Sequence, residues 1–415
     1  MPHRRAELQH CPQCQGILPQ GQQAQPFCRR CHFPVLPLAN KYRLQKILAE
    51  GSSARIYLAH HIGLLEDRER VVKVIRPEHL DQEEARIRFA REIQVTIALS
   101  KRNEHIVGIY DDFGEDPFLG HYYVMEYLQG QTLQHIMYEG EPLEHWLAFH
   151  IFYQLCKGMG AAHRTGVVHR DLKPENILLV ERDMEANFVK IIDFGIAKPL
   201  KRKVNFNLTQ GALGTPAYMS PEQCVNEPVD GRSDIYSMGV LLYEMLTGYT
   251  PFGNPSNSDE PPSRQRANML EILKAHIKSE PTPMRELRPD LDIAPGLDQI
   301  VLRTLAKNPH DRYQTVEDFW NQVADFSPPE YQRLSLSSQT ALPNVQLPTS
   351  QSSLPAQPGP GAARDLSHIP VATSQSNRSR VPIATSQAQR QLLQRPKSPT
   401  PKSDWWKPPV DPHKP

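Results

Sequence analysis

The sequence predicts an α+β fold in two lobes, the first rich in strands and the second in helices. Two observations carry that reading. Short apolar or alternating stretches cluster between residues 42 and 127, and apolar residues at helical spacing dominate from residue 143 to Phe326. A third observation bounds it, because the two ends differ in composition from the middle. Of the 39 prolines, sixteen lie in the last 89 residues, and the formal net charge of +1 conceals +3 over residues 1–40, −8 over 41–326 and +6 over 327–415. That distribution excludes a single compact domain, and 415 residues suit two or three.

Residues 1–40 are rich in Gln, Pro and Cys, with no amphipathic period long enough to build a core. Within 41–326, Tyr42–Leu48, Arg55–Ala59, Arg70–Ile75, Ile106–Phe113 and Tyr122–Tyr127 read as short strands. Glu83–Ser100 reads as a helix with Ile87, Ile93 and Ile97 on its apolar stripe. Leu143–Arg164 reads as a longer one, with Leu147, Ile151, Leu155 and Met159 on its stripe. Further helices are expected at Asp234–Leu246, Ala267–Ile277, Gly296–Leu305 and Thr315–Ala324, with an exposed loop at Asn254–Arg266. Residues 327–415 are Ser/Gln/Pro-rich with few large apolar groups, and read as disordered. They carry a weak repeat ending in Thr-Ser-Gln at Gln351, Gln375 and Gln387, and a tryptophan pair at Trp405–Trp406. These read as low-complexity drift, or as docking or phosphoacceptor peptides.

No apolar stretch follows the basic Met-Pro-His-Arg-Arg start as a secretory signal requires, and no run reaches the ~18 apolar residues of a membrane span. The expectation is a cytoplasmic protein whose six cysteines stay reduced. Neither basic end is a dense Lys/Arg block, so charge gives little support to nucleic-acid binding. Cys156 and Cys224 stand alone and read as packing residues.

Cys11-Pro-Gln-Cys14 and Cys28-Arg-Arg-Cys31 offer four thiolates in two pairs, thirteen residues apart. Paired thiolates at this spacing suit tetrahedral zinc, and the segment resembles a zinc ribbon. Such a site is structural, because four protein ligands leave the ion no open position. Cys28-Arg-Arg-Cys31-His32 also matches a c-type haem attachment pattern, one pair could be a redox dithiol, and all four could stay unligated. His10 and His32 could replace a thiolate, but read first as ordinary surface residues.

The middle segment holds short motifs in one order: Val71-Val-Lys73 in a strand, Glu92 on the next helix, then His169-Arg-Asp-Leu-Lys-Pro-Glu-Asn176 after the long helix. Asp193-Phe-Gly195 follows behind the apolar strand Val189–Ile192, then Gly214-Thr-Pro-Ala-Tyr-Met-Ser-Pro-Glu222 and Asp234-Ile-Tyr-Ser-Met-Gly239. In this order and at these separations they resemble the eukaryotic-type protein kinase family over residues 41–326. That implies a bilobal kinase fold, a small lobe over about 41–127 and a large one over about 128–326. It also implies ATP with Mg²⁺ (or Mn²⁺), and protein substrates with Ser/Thr acceptors.

The chemistry of the residues agrees with the resemblance. Phosphoryl transfer needs positioning and charge neutralisation more than covalent chemistry. Asp171 can take the proton of an incoming hydroxyl, Lys173 can neutralise the moving group, and Asn176 and Asp193 offer oxygens to a hard cation. By resemblance, the ATP site takes in Leu48, Gly51, Ile56, Lys73, Glu92, Glu126 and Leu128, with Met125 as gatekeeper. Lys73 would meet the α/β-phosphates and Glu92 would hold it by an ion pair. Glu222 would pair with Arg312. Lys173 and Thr215 resemble the serine/threonine branch, and the Gly-Thr-Pro run is similar to bacterial members. Arg170 implies control by an activation-loop phosphate, with Thr209 the expected acceptor. The phosphate loop departs from the family: the expected G-x-G-x-x-G reads Ala49-Glu-Gly51-Ser-Ser-Ala54. Glycine there lets backbone amides approach phosphate without a Cβ in the way. A pseudokinase scaffold, recruiting partners through ribbon and tail, is the second function class. A zinc-ribbon nucleic-acid binder with an accessory kinase domain is a third.

Overall fold

The computed structural model describes residues 10–18, 26–51, 53–64, 69–80, 83–182, 185–194, 216–253, 262–332 and 336. The first lobe is a five-stranded antiparallel sheet ordered β1-β2-β3-β5-β4: β1 (Tyr42–Glu50), β2 (Ala54–His61), β3 (Glu69–Ile75), β4 (Ile109–Asp116) and β5 (Gly120–Glu126). Helix α1 (Glu83–Ser100) covers its inner face and carries Glu83 and Glu84 in its first turn, where acidic side chains complement the helix dipole. All five predicted strands exist, although β4 starts three residues after its expected start at Ile106.

The central strand explains why Val71–Ile75 is an unbroken run with a single lysine. Val71, Ile75, Tyr123 and Met125 face α1 and the main core. Val72, Val74, Tyr122 and Val124 belong to a second core on the outer face, with Cys11, Leu18, Cys28, Phe33 and Leu38. A sheet buried on both faces loses the polar alternation of a half-exposed one. The cysteine segment is that outer cover.

The second lobe contains a small antiparallel sheet, β6 (Gly130–Thr132), β7 (Ile177–Arg182) and β8 (Glu185–Ile191), with the short helix α2 (Leu133–Ile136) after β6. Helix α3 (His145–Arg164) packs against β8 at close range. A Cβ on its Gly158 would sit 2.4 Å from the Ile191 Cδ1, so any larger residue there would have to displace that side chain. The short α4 (Pro221–Cys224) precedes α5 (Gly231–Thr247), whose N-cap Asp230 accepts from the Arg232 amide at 2.9 Å. Then come α6 (Pro262–Lys278), α7 (Met284–Leu287), α8 (Pro295–Thr304), α9 (Val316–Val323) and α10 (Pro329–Gln332). Thr315 caps α9 by accepting from the Asp318 amide at 3.0 Å.

Four sequence expectations are corrected. Ile87 is 56% exposed, and Phe89 takes its place in the core beside Ile93 and Ile97. The long helix begins at His145 rather than Leu143, with Glu144 as its N-cap. Residues 262–266, expected as loop, open α6, where Pro262 stands at the first helical position. Residues 327–332, expected as part of a disordered tail, instead include α10: Tyr331 donates or accepts a 2.7 Å bond with His150 Nδ1 of α3, and Leu336 is buried. The repeats and the tryptophan pair lie outside the described residues.

Candidate active site

The β7–β8 hairpin gathers the chemistry. Ile177 pairs with Ile191, so Asn176, one residue before β7, comes beside Asp193, two residues after β8. The Ile192 amide donates to the Asn176 carbonyl at 2.9 Å and closes the junction. Asn176 Nδ2 donates to the Asp171 carbonyl at 2.7 Å and to its Oδ2 at 3.1 Å. That fixes the amide and leaves Oδ1 as its acceptor end. Lys173 Nζ stands 4.0 Å from Asp171 Oδ2.

Lys73, 8% exposed on β3, is paired with the Asp193 carboxylate. Burial works against its charge, but Asp193 outweighs it and holds the amine above its ordinary range. Across β2, Ile56 is the register partner of Lys73, and β1 carries Leu48 just before the phosphate turn. Met125 is buried on β5; the amide of Glu126, which ends the strand, donates to the Gly108 carbonyl at 2.8 Å. The Glu126 side chain accepts from the Gly108 amide at 2.7 Å and from Lys190 at 2.8 Å. Leu128 follows, packed at the edge of the main core.

The expected Lys73–Glu92 ion pair is absent. Glu92 Oε1 instead takes the guanidinium of Arg170 at 3.2 Å. Its Oε2 is buried without a partner, and burial, only partly offset by Arg170, raises its pKa. The physical reason is competition: Asp193 occupies the lysine, while Arg170 offers Glu92 a charge-assisted bond.

Sequence reasoning missed what holds Arg170. Its backbone lies at φ +65°, and Asp193 lies at φ +64°, a conformation costly for residues with a Cβ. Asp234, 1% exposed at the start of α5, accepts from the amides of His169 at 2.8 Å and Arg170 at 2.9 Å. His163 Nε2 meets the same carboxylate at 2.8 Å. Burial would raise the Asp234 pKa, but these partners reverse it and lower it. Gln223 adds a 2.9 Å bond to the Arg170 carbonyl. The sequence signal was an aspartate heading an apolar helix.

A protein kinase domain profile matches residues 42–323. The chain belongs to the protein kinase domain family. Serine/threonine-protein kinase pkn3 of Myxococcus xanthus is 36% identical over 290 residues, covering 68% of this chain and 49% of that protein. Serine/threonine-protein kinase PknB of Mycolicibacterium smegmatis is 37% identical over 285 residues, with 68% and 42% covered. The chain thus spans about half the length, or less, of these curated relatives. Among solved structures, the Mycobacterium tuberculosis PknI kinase domain superposes with a TM-score of 0.50 at 24% identity, covering 70% of this chain and 98% of that one. That likeness shows the bilobal fold.

Within this kinase domain, Glu222 and Arg312 form the anticipated pair, with two parallel bonds of 2.8 Å. The phosphate turn needs no left-handed residue at its two altered positions, since neither Ala49 nor Ala54 has positive φ. Ala54 is buried in the main core. A Cβ on Gly51 would meet only the Ala54 carbonyl, at 3.7 Å. Thr209, Thr215 and Gly195 lie outside the described residues. No helix among the described residues is long and apolar enough to cross a membrane.

The four cysteine sulfurs of the N-terminal segment lie within 4.8 Å of one another. Cys11 and Cys31 are 3.6 Å apart, and Cys14 and Cys28 3.7 Å. Metal–sulfur bonds of ~2.3 Å in a tetrahedron put sulfurs ~3.8 Å apart, so the donor set fits a thiolate-bound ion.

Proposed function

We propose that this chain is an ATP- and magnesium-dependent serine/threonine protein kinase. One observation carries the reading: two side-chain pairs from three separate parts of the sequence, Lys73 with Asp193 and Asn176 with Asp171, meet at the β7–β8 junction that the Ile192–Asn176 backbone bond closes. Asp171 is oriented by Asn176 and accepts the proton of the substrate hydroxyl. Lys173, beside Asp171, neutralises charge on the transferred group. Asn176 Oδ1 and Asp193 would hold Mg²⁺, which supplies charge neutralisation at the phosphates. Lys73 moves from Asp193 to the α/β-phosphates when nucleotide binds, beneath Leu48 and Ile56 and against the edge formed by Glu126 and Leu128. Gly51 leaves room for phosphate at the turn, and Glu92 exchanges Arg170 for Lys73. Thr209 is the proposed autophosphorylation site, whose phosphate would draw Arg170 from Glu92.

The experiment is transfer of labelled γ-phosphate to a generic basic protein substrate and to the chain itself. Wild type labels both, and Asp171→Asn abolishes labelling. Absence of labelling by the wild type would favour the scaffold reading instead.

For the N-terminal segment the proposal is a structural zinc held by Cys11, Cys14, Cys28 and Cys31, within boundaries of 1–40 for the segment and 41–326 for the kinase domain, with the tail following α10. Stoichiometric zinc that is lost in Cys11→Ser tests it.

A further inference from the structure

We propose that the metal site formed by the four cysteines is energetically coupled to nucleotide binding through the β1–β2 hairpin. The inference rests on the metal reading above and extends it from scaffolding to control.

The site is two copies of one turn. The Cys11 amide donates to the Gly16 carbonyl at 2.8 Å, and the Cys28 amide to the Phe33 carbonyl at 2.8 Å. Gln15 and His32 take the same left-handed position, φ +58° and +57°, just after the second cysteine of each turn. Isolated bridges, His10 to Ile17 and Phe27 to Pro34, close both. Nothing covalent joins the two turns across the sulfurs, so a bound ion would be their common fastening.

Each turn touches a different leg of the hairpin. Gln13, between the first two cysteines, accepts from the Ile47 amide on β1 at 3.4 Å, next to Leu48. That bond is long, and packing carries more. Phe33, two residues past Cys31 and 2% exposed, meets Tyr57 on β2 edge-on at 5.9 Å. Tyr57 in turn accepts from Arg55 at 3.4 Å, and Arg55 is paired with Glu50 at the phosphate turn. Arg76 joins the same carboxylate at 3.0 Å and donates to the Gly51 carbonyl at 3.0 Å.

The turn has two alanines where flexible glycines are expected, and side chains tie its tip to the ends of β1, β2 and β3. It is therefore positioned by its strands rather than free to adapt to phosphate. Those strands are clamped from outside by the cysteine turns. Losing the ion releases the two turns from each other, and with them the two legs that set where Gly51 and Leu48 stand. Coupling of this kind is reciprocal, so nucleotide must tighten metal by the factor with which metal tightens nucleotide.

The test uses the full chain, zinc-loaded and chelator-treated, with chelator removed and Mg²⁺ restored. A non-hydrolysable ATP analogue is titrated into both, and zinc affinity is measured with and without the analogue. The expected result is analogue binding weakened about fivefold or more without zinc, matched by the same factor in zinc affinity. Gln13→Ala keeps all four sulfurs and binds one zinc, but shows a smaller factor. Equal analogue affinities, within about twofold, in a folded chain that does bind zinc overturn the coupling while leaving the site intact. Failure to bind stoichiometric zinc overturns the site itself. Where zinc removal unfolds the chain, Gln13→Ala and Phe33→Leu with zinc present decide: unchanged analogue affinity and unchanged zinc release in both refute the proposal.

Discussion

Replacing Arg312 with methionine should destabilise the chain in a pH-dependent way that identifies Glu222 as the cause. Arg312 is 1% exposed and makes two 2.8 Å bonds to Glu222, itself 5% exposed. Burial raises the Glu222 pKa, but the guanidinium outweighs burial and holds it below its ordinary 4.5. Without Arg312 the carboxylate is left with Ser233 and its own surroundings, and it will take a proton rather than stay buried and charged. At pH 7 that proton costs 2.5 pH units at about 1.4 kcal/mol each, about 3.5 kcal/mol. At pH 5 the same cost is about 0.7 kcal/mol.

The pair therefore stabilises the fold fully above the unfolded carboxylate pKa, and loses its contribution as pH falls through the lower folded value. Arg312 also donates to the carbonyls of Ala306 at 2.8 Å, Arg232 at 3.0 Å and Lys307 at 3.1 Å. Those losses are independent of pH. Chemical denaturation of wild type, Arg312→Met and the double variant Glu222→Gln/Arg312→Met, at pH 5 and 7, measures the separation. The single variant should recover roughly 3 kcal/mol of its deficit on going to pH 5, and the double variant should show little change. An equal deficit at both pH values, or a double variant with the same pH dependence as the single one, would refute the reasoning.

Other expectations follow from the same geometry. Burial pushes the Glu244 carboxyl up to about 7, with the Tyr218 hydroxyl donating to it at 2.7 Å. A raised folded pKa means its contribution is present below the unfolded value and lost as pH rises through about 7, so Glu244→Gln should flatten the fall in melting temperature between pH 5 and 8. Gly51→Ala should leave unfolding free energy within about 1 kcal/mol of wild type, because its Cβ meets only ordinary contact, yet raise KM for ATP. Thr209→Ala should lower activity towards added substrate and remove one phosphate by mass spectrometry; full activity with phosphate mapped elsewhere would reject that site. Asp171→Asn should lower phosphoryl transfer by about 10²–10⁴-fold or more without changing the melting temperature by more than a few degrees.

Much of the fold was legible because the first lobe is local: short apolar runs, and a helix whose buried Phe89, Ile93 and Ile97 keep helical spacing. The small β6–β7–β8 sheet was harder to see. Only Val189–Ile192 registered as a strand, since β6 is three residues long and Ile177–Val180 directly follows the His169–Asn176 motif. The outer cover of the sheet was legible in principle. Val71–Ile75 has no polar face, yet the cysteine segment read as having no core of its own, because its core is shared with the sheet. Asp171, Asn176 and Asp193 could be singled out because each stands in a contiguous motif, and the structure brings them to one junction. The partner of Glu92 was not found, since the choice between Lys73 and Arg170 depends on which cation is free, and spacing does not encode that.

That choice is the centre of the site's energetics. Four charged groups, Lys73, Asp193, Glu92 and Arg170, form two pairs that can be exchanged without changing net charge. In the pairing present here Glu92 keeps one buried oxygen unpartnered, a cost of about 1–3 kcal/mol. Two additions favour the exchange. A cation at Asp193 frees Lys73, and an anion at Arg170 frees Glu92. Each addition lowers the cost of the other, because either one alone leaves a buried charge without its counter-ion. Nucleotide with magnesium at one end and a phosphate near Arg170 at the other should thus act cooperatively on one α1 position, although neither touches the other. The measurable consequence is that mutating Glu92 to Gln should weaken this cooperativity more than it weakens nucleotide binding in the unphosphorylated chain.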